Sequence, residues 1–421
     1  MTVKLAIVTS HPVQYQVPWF RALADVTDLT VFFCHRQDPD GQARAGFDVA
    51  FDWDVPLLEG YQHQWLRNRA RRPDVSTPFG CHTPDIIPAI QRGGFDACIV
   101  CGWYLRSYVQ AIGACRRSGT PVLLRGDSQL ATPRSAVFRM IKYWPYRWAL
   151  GRVDGHLYVG TANRDYLRHY GVSDDRLFFV PHFVDNDFFA QGARDARTNG
   201  RAAAVRLDCG AADEDTLFVF VGKLIGKKRP ADFVRALAAA RARGANVRGL
   251  IVGSGELGPA LEAEARALHA PVFFAGFRNQ TELPAFLAAA DAVVLPSDGR
   301  ETWGLVVNEA MACGLPALVS RAVGCAADLV EDGVTGFVFS PGDVAALANH
   351  MVTVHARLRS NKSAFQPAVA TRIACYSVKR AVETTLDAVL TVIDRSRPSR
   401  QRVPVPPPRD RAARPPSVHL I

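Results

Sequence analysis

The sequence predicts an α/β protein of two doubly wound parallel-sheet domains facing a cleft, followed by a disordered tail. Three observations carry this. Short apolar runs alternate with helix-patterned segments, in two series separated by a polar stretch, and the end of the chain is dominated by proline and arginine. Strand–helix alternation implies parallel strands with helices on both faces. Two series make two such domains.

In the first series "KLAIVTS", "LTVFFC", "DACIVCG", "PVLLRG", "GHLYVG" and "RLFFVP" read as strands buried on both faces. "WYLRSYVQAIGACRRSG" between them reads as a helix closed by Gly119. The second series runs "TLFVFVG", "VRGLIVG", "PVFFAGF", "DAVVLPS", "PALVS" and "GFVFS", with helices such as "PADFVRALAAARARG" between. The break falls in "VPHFVDNDFFAQGARDARTNGRAAA", where apolar periodicity is lost. The expected domains are 1–185 and 186–395, with a terminal helix over about 374–394 that crosses back to the first domain. Residues 396–421 form the Pro/Arg-rich tail, whose composition cannot bury a core.

Composition narrows the function classes. Of 421 residues 48% are hydrophobic and 21% charged, ordinary for a globular protein. Net charge is +10, and half of the excess lies from Arg397 onward, which carries six Arg and one Asp. A basic pI held largely in a tail does not imply nucleic-acid binding. No apolar run is long enough to span a bilayer, and the start lacks a cleavage-site pattern. Nine scattered cysteines without framework spacing suggest reduced thiols and a cytoplasmic setting. Cys98 and Cys101 sit inside an expected strand and read as core.

The chemistry concentrates in "SDGRETWGLVVNEAMACGLP". "DAVVLPS" is a strand and "VVNEAMACG" a helix stopped by Gly314 and Pro316, so the loop between joins a strand's carboxyl end to a helix start. Ligands bind at that edge of a doubly wound sheet. The amides of Gly304, Leu305 and Val306 would favour an anion such as a diphosphate. Glu301 and Glu309 flank this loop, and carboxylates repel phosphate, so their natural partners are hydroxyls. A diphosphate between two hydroxylated groups is a nucleotide sugar. Glu309 would hold the ribose and Glu301 the transferred sugar. The plainer alternative is a helix first-turn acid and a solvated loop acid. "VGKLIGKKRP" adds Lys223 and Lys228 in another strand–helix loop, and Gly253, Gly255 and Gly276 mark two more.

Together "GKLIGKKRP", "GSGE", "FAGF", "ETWGLVVNEAMACGLP" and "VEDGVTGFVF" resemble the retaining glycosyltransferases of family 4, in the glycosyl transferases group 1, strongly over about 216–348 and moderately over the first domain. The resemblance implies a GT-B fold of two Rossmann-like domains. It implies Glu309 as the ribose ligand, Glu301 beside the donor sugar, and Lys223 and Lys228 on the leaving diphosphate. Lys223 stands where the family usually has arginine, so the bidentate fork is lost. Backbone near Gly276 and Phe277 would read the base. The first loop, "SHPVQYQVPWFRALA", departs from the family's glycine-rich form and is similar to a subset of bacterial polysaccharide enzymes; His11, Gln14 and Tyr15 are its cleft candidates. Asp127 falls where many members have a histidine, and it and Arg125 are further candidates.

The resemblance implies a transferase that moves a sugar, from a UDP-sugar by preference, to a glycan or lipid-linked acceptor of a surface polysaccharide. It needs no metal and no cofactor. The segment "VFRMIKYWPYRWALGR" mixes aromatics with Arg and Lys, which suits peripheral contact with the inner membrane surface; the alternative is an ordinary amphipathic helix on the sheet. Three rivals remain at this stage. A sugar-nucleotide epimerase leaves the Glu301/Glu309 pair unexplained. A glycosidase needs no phosphate loop. A non-catalytic nucleotide-binding scaffold draws support from the absent histidine.

Overall fold

A computed structural model describes residues 2–43, 46 and 48–396. The Pro/Arg-rich segment expected as a disordered tail lies outside the described residues beyond Ser396. Among the described residues no helix is long and apolar enough to cross a membrane.

The first sheet contains β1 (Lys4–Thr9), β2 (Asp28–Phe33), β3 (Gln62–Trp65), β4 (Ala97–Val100), β5 (Val122–Gly126), β6 (Gly155–Tyr158) and β7 (Leu177–Phe179). Their spatial order is β3-β2-β1-β4-β5-β6-β7. The second contains β8 (Thr216–Val221), β9 (Val247–Val252), β10 (Val272–Gly276), β11 (Ala292–Leu295), β12 (Ala317–Ser320) and β13 (Gly336–Phe339), ordered β10-β9-β8-β11-β12-β13. All pairings are parallel. The central strands are fully buried, as continuous apolar runs require when helices cover both faces.

Three details differ from expectation. β3, "QHQW", has no apolar run; among the described residues it pairs only with β2 at the sheet edge, where one face is open and polar residues suffice. β7 and β10 are likewise edge strands and only part-buried, not covered on both faces. The last helix, Val378–Ser396, starts later than the expected 374.

That helix packs on the first sheet. Its Ala381, Ala388, Val389 and Val392 share a core with Leu5, Trp19 and Phe20. The chain crosses out of the first domain and returns side by side, with a parallel bridge between Val184 and Ser377. Asn186 donates to the Ile373 carbonyl at 3.1 Å where the two crossings meet. The helix Asn186–Thr198 packs into the core of the second domain through Phe189, Ala193 and Ala196. Nearby, the Asp328 carboxylate accepts from the Thr161 amide at 3.0 Å and the Tyr376 hydroxyl at 3.1 Å, tying both domains to the second crossing.

In each sheet the strand order reverses once at its centre, between β1 and β4 and between β8 and β11. Those are the topological switch points where the carboxyl-end loops splay apart and open a crevice.

Candidate active site

The second-domain crevice is built from the loops after β8 and β11. Backbone joins them: the Asp298 amide donates to the Lys227 carbonyl at 2.9 Å. The β8 loop carries Lys223, Lys227 and Lys228, and the β11 loop carries Glu301. Lys228 Nζ lies 2.7 Å from Glu301 Oε2, both side chains being 13% exposed, and Lys227 Nζ lies 3.9 Å away. Glu301 is thus a sheltered, ion-paired acid and not the solvated loop residue of the plainer alternative. Burial, then the charges of Lys227 and Lys228, pull Lys223 down to about 8, while Glu301 opposes this. Lys227 and Lys228 thus disfavour a further positive charge at Lys223.

Gly304 caps the helix Leu305–Ala312 with φ 96°, a left-handed conformation. A Cβ there would sit 2.6 Å from Leu295 Cδ2, so glycine is required by shape as well as by backbone angle. The first amides of the helix, at Gly304, Leu305 and Val306, have no intrahelical acceptor by construction. Glu309 follows one turn on and is half-buried. Burial pushes its carboxyl up to about 7, with Lys228 opposing. Lys228 therefore acts on both glutamates.

Gly253 and Gly255, expected at the donor, have a packing role as well. A Cβ at Gly253 would collide with the Gly222 carbonyl oxygen, and one at Gly255 would lie 2.7 Å from the Leu224 carbonyl oxygen. These glycines let the loop after β9 press against the lysine-bearing loop after β8. They shape the site through its support. Gly253, at φ 143°, has a backbone conformation that side-chain-bearing residues rarely adopt and no room for a Cβ. Gly253→Ala is expected to cost about 2–3 kcal/mol of stability, read as a lower denaturant midpoint.

The expected base-reading end lies at the loop after β10. Gly276, at φ 73°, has nothing within 4 Å of a Cβ, so its surroundings are open. The Phe277 ring, however, packs at 4.4 Å on Phe51 of the first domain. Asn279 donates to the Asp52 carbonyl at 2.8 Å, and the Thr281 amide and hydroxyl donate to Asp54. A segment between β2 and β3 thus spans the cleft and lies along the loop after β10. Nothing in its sequence marks that reach.

Two further contacts close the cleft over Glu301. Asp127, after β5, accepts from the Thr302 hydroxyl at 2.6 Å. Gln129 donates to the carbonyls of Glu301 at 2.8 Å, Gly299 at 3.2 Å and Ala322 at 3.2 Å. Sequence reasoning singled out Asp127 but missed Gln129 and Thr302, whose partners lie over 170 positions apart. It also missed a buried chain in which the Trp303 indole donates to Asn308 at 2.8 Å and Asn308 donates to the His182 carbonyl at 3.1 Å. The chain anchors the Leu305–Ala312 helix to the first crossing.

Of the first-domain candidates, Tyr15 packs edge-on against His182, with ring centroids 5.3 Å apart, and Asp127 is among the charges acting on it. Gln14 Oε1 is buried with no hydrogen-bond partner among the described residues. His11 bonds Ser10 at 2.9 Å, and burial, helped by His35, lowers it to about 4, so it is neutral at physiological pH. Arg125 is the exception among the cleft candidates. It is buried, donates to the Val180 and Pro181 carbonyls at 3.0 Å each, and lies over Trp19 and Phe183. Its guanidinium is engaged in holding the first crossing.

Residues 215–357 match the family model described as Glycosyl transferases group 1. An alpha-D-kanosaminyltransferase of Streptomyces kanamyceticus is 29% identical over 204 residues, which are 48% of this chain and 51% of that protein. A D-inositol 3-phosphate glycosyltransferase of Nocardiopsis dassonvillei is 32% identical over 203 residues, 45% of each. The chain spans about half the length of the curated relatives it matches. Anabaena HepE, solved in complex with UDP and glucose, superposes with a TM-score of 0.66 at 17% identity, over 92% of this chain and 100% of that one. A glycosyltransferase from Rickettsia africae superposes at 0.68 with 13% identity, over 93% and 99%. These likenesses show the GT-B fold of two facing Rossmann-like domains.

Proposed function

We propose that this chain, related through its second domain to the group 1 glycosyl transferases, moves a sugar with retention from a nucleotide-diphosphate donor to a glycan or lipid-linked acceptor, in surface-polysaccharide assembly. A UDP-sugar is the favoured donor. The single observation that carries the reading is the Lys228–Glu301 ion pair at 2.7 Å beside the raised Glu309 carboxyl, at the switch point of the second sheet. Cations, a helix start and two sheltered acids converge there, and a nucleotide sugar presents phosphate and hydroxyls in the matching order. HepE, with the same fold, was solved with UDP and glucose.

The geometry suits the chemistry. The diphosphate enters over Lys223 and Lys228 and the amides of Gly304–Val306, and Lys228 exchanges part of its contact with Glu301 for phosphate. Glu309 accepts from the ribose diol, and Glu301 accepts from hydroxyls of the transferred sugar. The bond from the anomeric carbon to the diphosphate oxygen breaks, and its electron pair leaves with the phosphate. The lysines and helix amides meet that charge as it develops. The acceptor oxygen bonds to the anomeric carbon from the same face, and its proton passes to the departing phosphate oxygen. Asp127 and Gln129, which close on Thr302 and Glu301, hold the domains together and keep water from the sugar. Gln14 and Tyr15 line the acceptor side.

The Glu309 carboxyl has a readable pH signature. It ionises near 7 in the empty site, and only the carboxylate accepts two hydroxyl bonds. Nucleotide affinity should therefore rise as Glu309 ionises, being roughly fivefold weaker at pH 6 than at pH 7, and fall again above about 8, where Lys223 loses its charge. Glu309→Gln should remove the rise and leave the Lys223 limb and the phosphate's own ionisation. Folding shows the opposite sign. The folded protein binds this proton more tightly than the unfolded chain, whose carboxyl has the ordinary value of 4.5. Stability of the empty protein should thus fall between pH 4.5 and 7, less steeply in the variant.

The direct test is turnover of UDP-, GDP- and ADP-sugars with glycan and lipid-linked acceptors. The expected result is nucleoside diphosphate release that depends on acceptor, with a product of unchanged anomeric configuration by NMR. Conversion of the donor to an isomer without acceptor would overturn the reading in favour of an epimerase.

A further inference from the structure

The helix Ala136–Leu150 is built inside out. Its inner face carries Lys142, which is buried, with its ammonium over the rings of Tyr146 at 5.1 Å, Tyr170 at 5.5 Å and Tyr166 at 5.8 Å. Its outer face carries Val137, Met140, Ile141, Trp144 and Trp148, which are 62, 70, 66, 70 and 61% exposed. Their spacing forms one continuous stripe along a helix. An ordinary amphipathic helix would bury these side chains and expose the lysine. Such a stripe on a surface requires a covering partner.

The charges around the stripe say which partner. From Leu130 to Arg152 there is no acidic residue, and Arg134, Arg139, Arg147 and Arg152 all stand exposed. Arg152 lies over the Trp148 ring at 3.5 Å, and Arg134 over Phe138 at 5.2 Å, so cations and rings form mixed tips. Tryptophan with arginine at one level suits the headgroup layer of an anionic bilayer, where rings enter the acyl boundary and guanidinium groups meet lipid phosphates. A protein partner would need an acidic rim around an apolar groove and would make the paired tryptophans its core.

Position adds a reason. The helix begins directly after the loop that bears Asp127 and Gln129, and Ser135 caps it by accepting from the Phe138 amide at 3.2 Å. A Cβ on Gly299, in the second-domain loop, would collide with the Ala131 carbonyl. The stripe is thus continuous along the chain with the edge of the cleft.

We propose that the outer face of the Ala136–Leu150 helix docks the protein on an anionic membrane surface, so that an acceptor carried on a lipid reaches the cleft beside Asp127. The acceptor clause rests on the glycosyltransferase reading; the docking does not.

The test is flotation of the full chain with vesicles of phosphatidylglycerol and phosphatidylcholine, and with phosphatidylcholine alone, for wild type and Ile141→Ser/Trp144→Ser. These side chains are exposed, so the variant should fold, and an unchanged melting temperature checks this. The expected result is binding to the anionic vesicles, weakened by salt and at least about tenfold lower in the variant. The Arg-rich end beyond Ser396 is common to both proteins, so the difference reports the helix. Equal flotation of wild type and variant would overturn the proposal, as would no flotation at all. A wild-type dimer that the variant makes monomeric, without vesicle binding, would overturn it in favour of a second copy as the partner. UDP binding is measured alongside. Vesicle binding without nucleotide binding retires the catalytic reading and keeps the docking; the reverse retires the docking alone.

Discussion

Lys228→Ala should lower sugar transfer by about 10²–10³-fold, with a smaller change in donor affinity. Lys228 lies 2.7 Å from Glu301 and also acts on Glu309, so in the proposed reaction its ammonium faces the diphosphate as it gains charge. An interaction that strengthens as charge develops shows mainly in kcat, whereas uniform grip shows in KM. Lys227 serves as the comparison. It is 3.9 Å from Glu301 and 35% exposed, so screening weakens it. Lys227→Ala should change transfer by less than about tenfold. Steady-state kinetics of the two variants with a common donor separates them. Equal losses would mean that the loop is merely a basic surface.

Glu309→Ala should weaken nucleoside diphosphate binding by about tenfold to a hundredfold, since a charge-assisted hydrogen bond contributes roughly 1.5–3 kcal/mol. The side chain is half-buried at the crevice, and the empty site keeps its carboxyl part-protonated near neutral pH. A ribose diol would supply the donors that burial denies it. The loss should therefore appear for a ribonucleoside diphosphate and vanish for inorganic pyrophosphate, which has no ribose. Calorimetric titration of both ligands into wild type and variant checks this. A variant that loses both equally has suffered a general collapse of the Leu305–Ala312 helix, not the loss of a ribose ligand.

The second domain was the more legible half. Its strands are apolar on both faces, so period and length identify them, and Glu301, Gly304 and Glu309 fall on one strand–loop–helix unit whose geometry follows from local rules. What closes the site was not legible. Gln129 and Thr302 look like ordinary loop residues, and their value comes only from partners across the cleft. The Phe51–Phe277 contact is of the same kind. β3 escaped notice because an edge strand need not be apolar. Gly253 and Gly255 were visible as glycines, but their close packing on the neighbouring loop was not. The helix Ala136–Leu150 shows the limit of composition most plainly. The same aromatic and basic residues fit a buried face or an exposed one, and only the fold shows Lys142 inside and Trp144 outside.

The most direct measurement is the thermal stability of the wild-type chain with UDP, GDP and ADP, each tested separately. A ligand at 100 times its dissociation constant stabilises by about 2.7 kcal/mol. The expected result is clear stabilisation by at least one of them, UDP by preference, with the free nucleoside giving much less because the lysines and helix amides grip the diphosphate. No stabilisation by any of the three at millimolar concentration would contradict a nucleotide-sugar site between Lys228, Glu301 and Glu309.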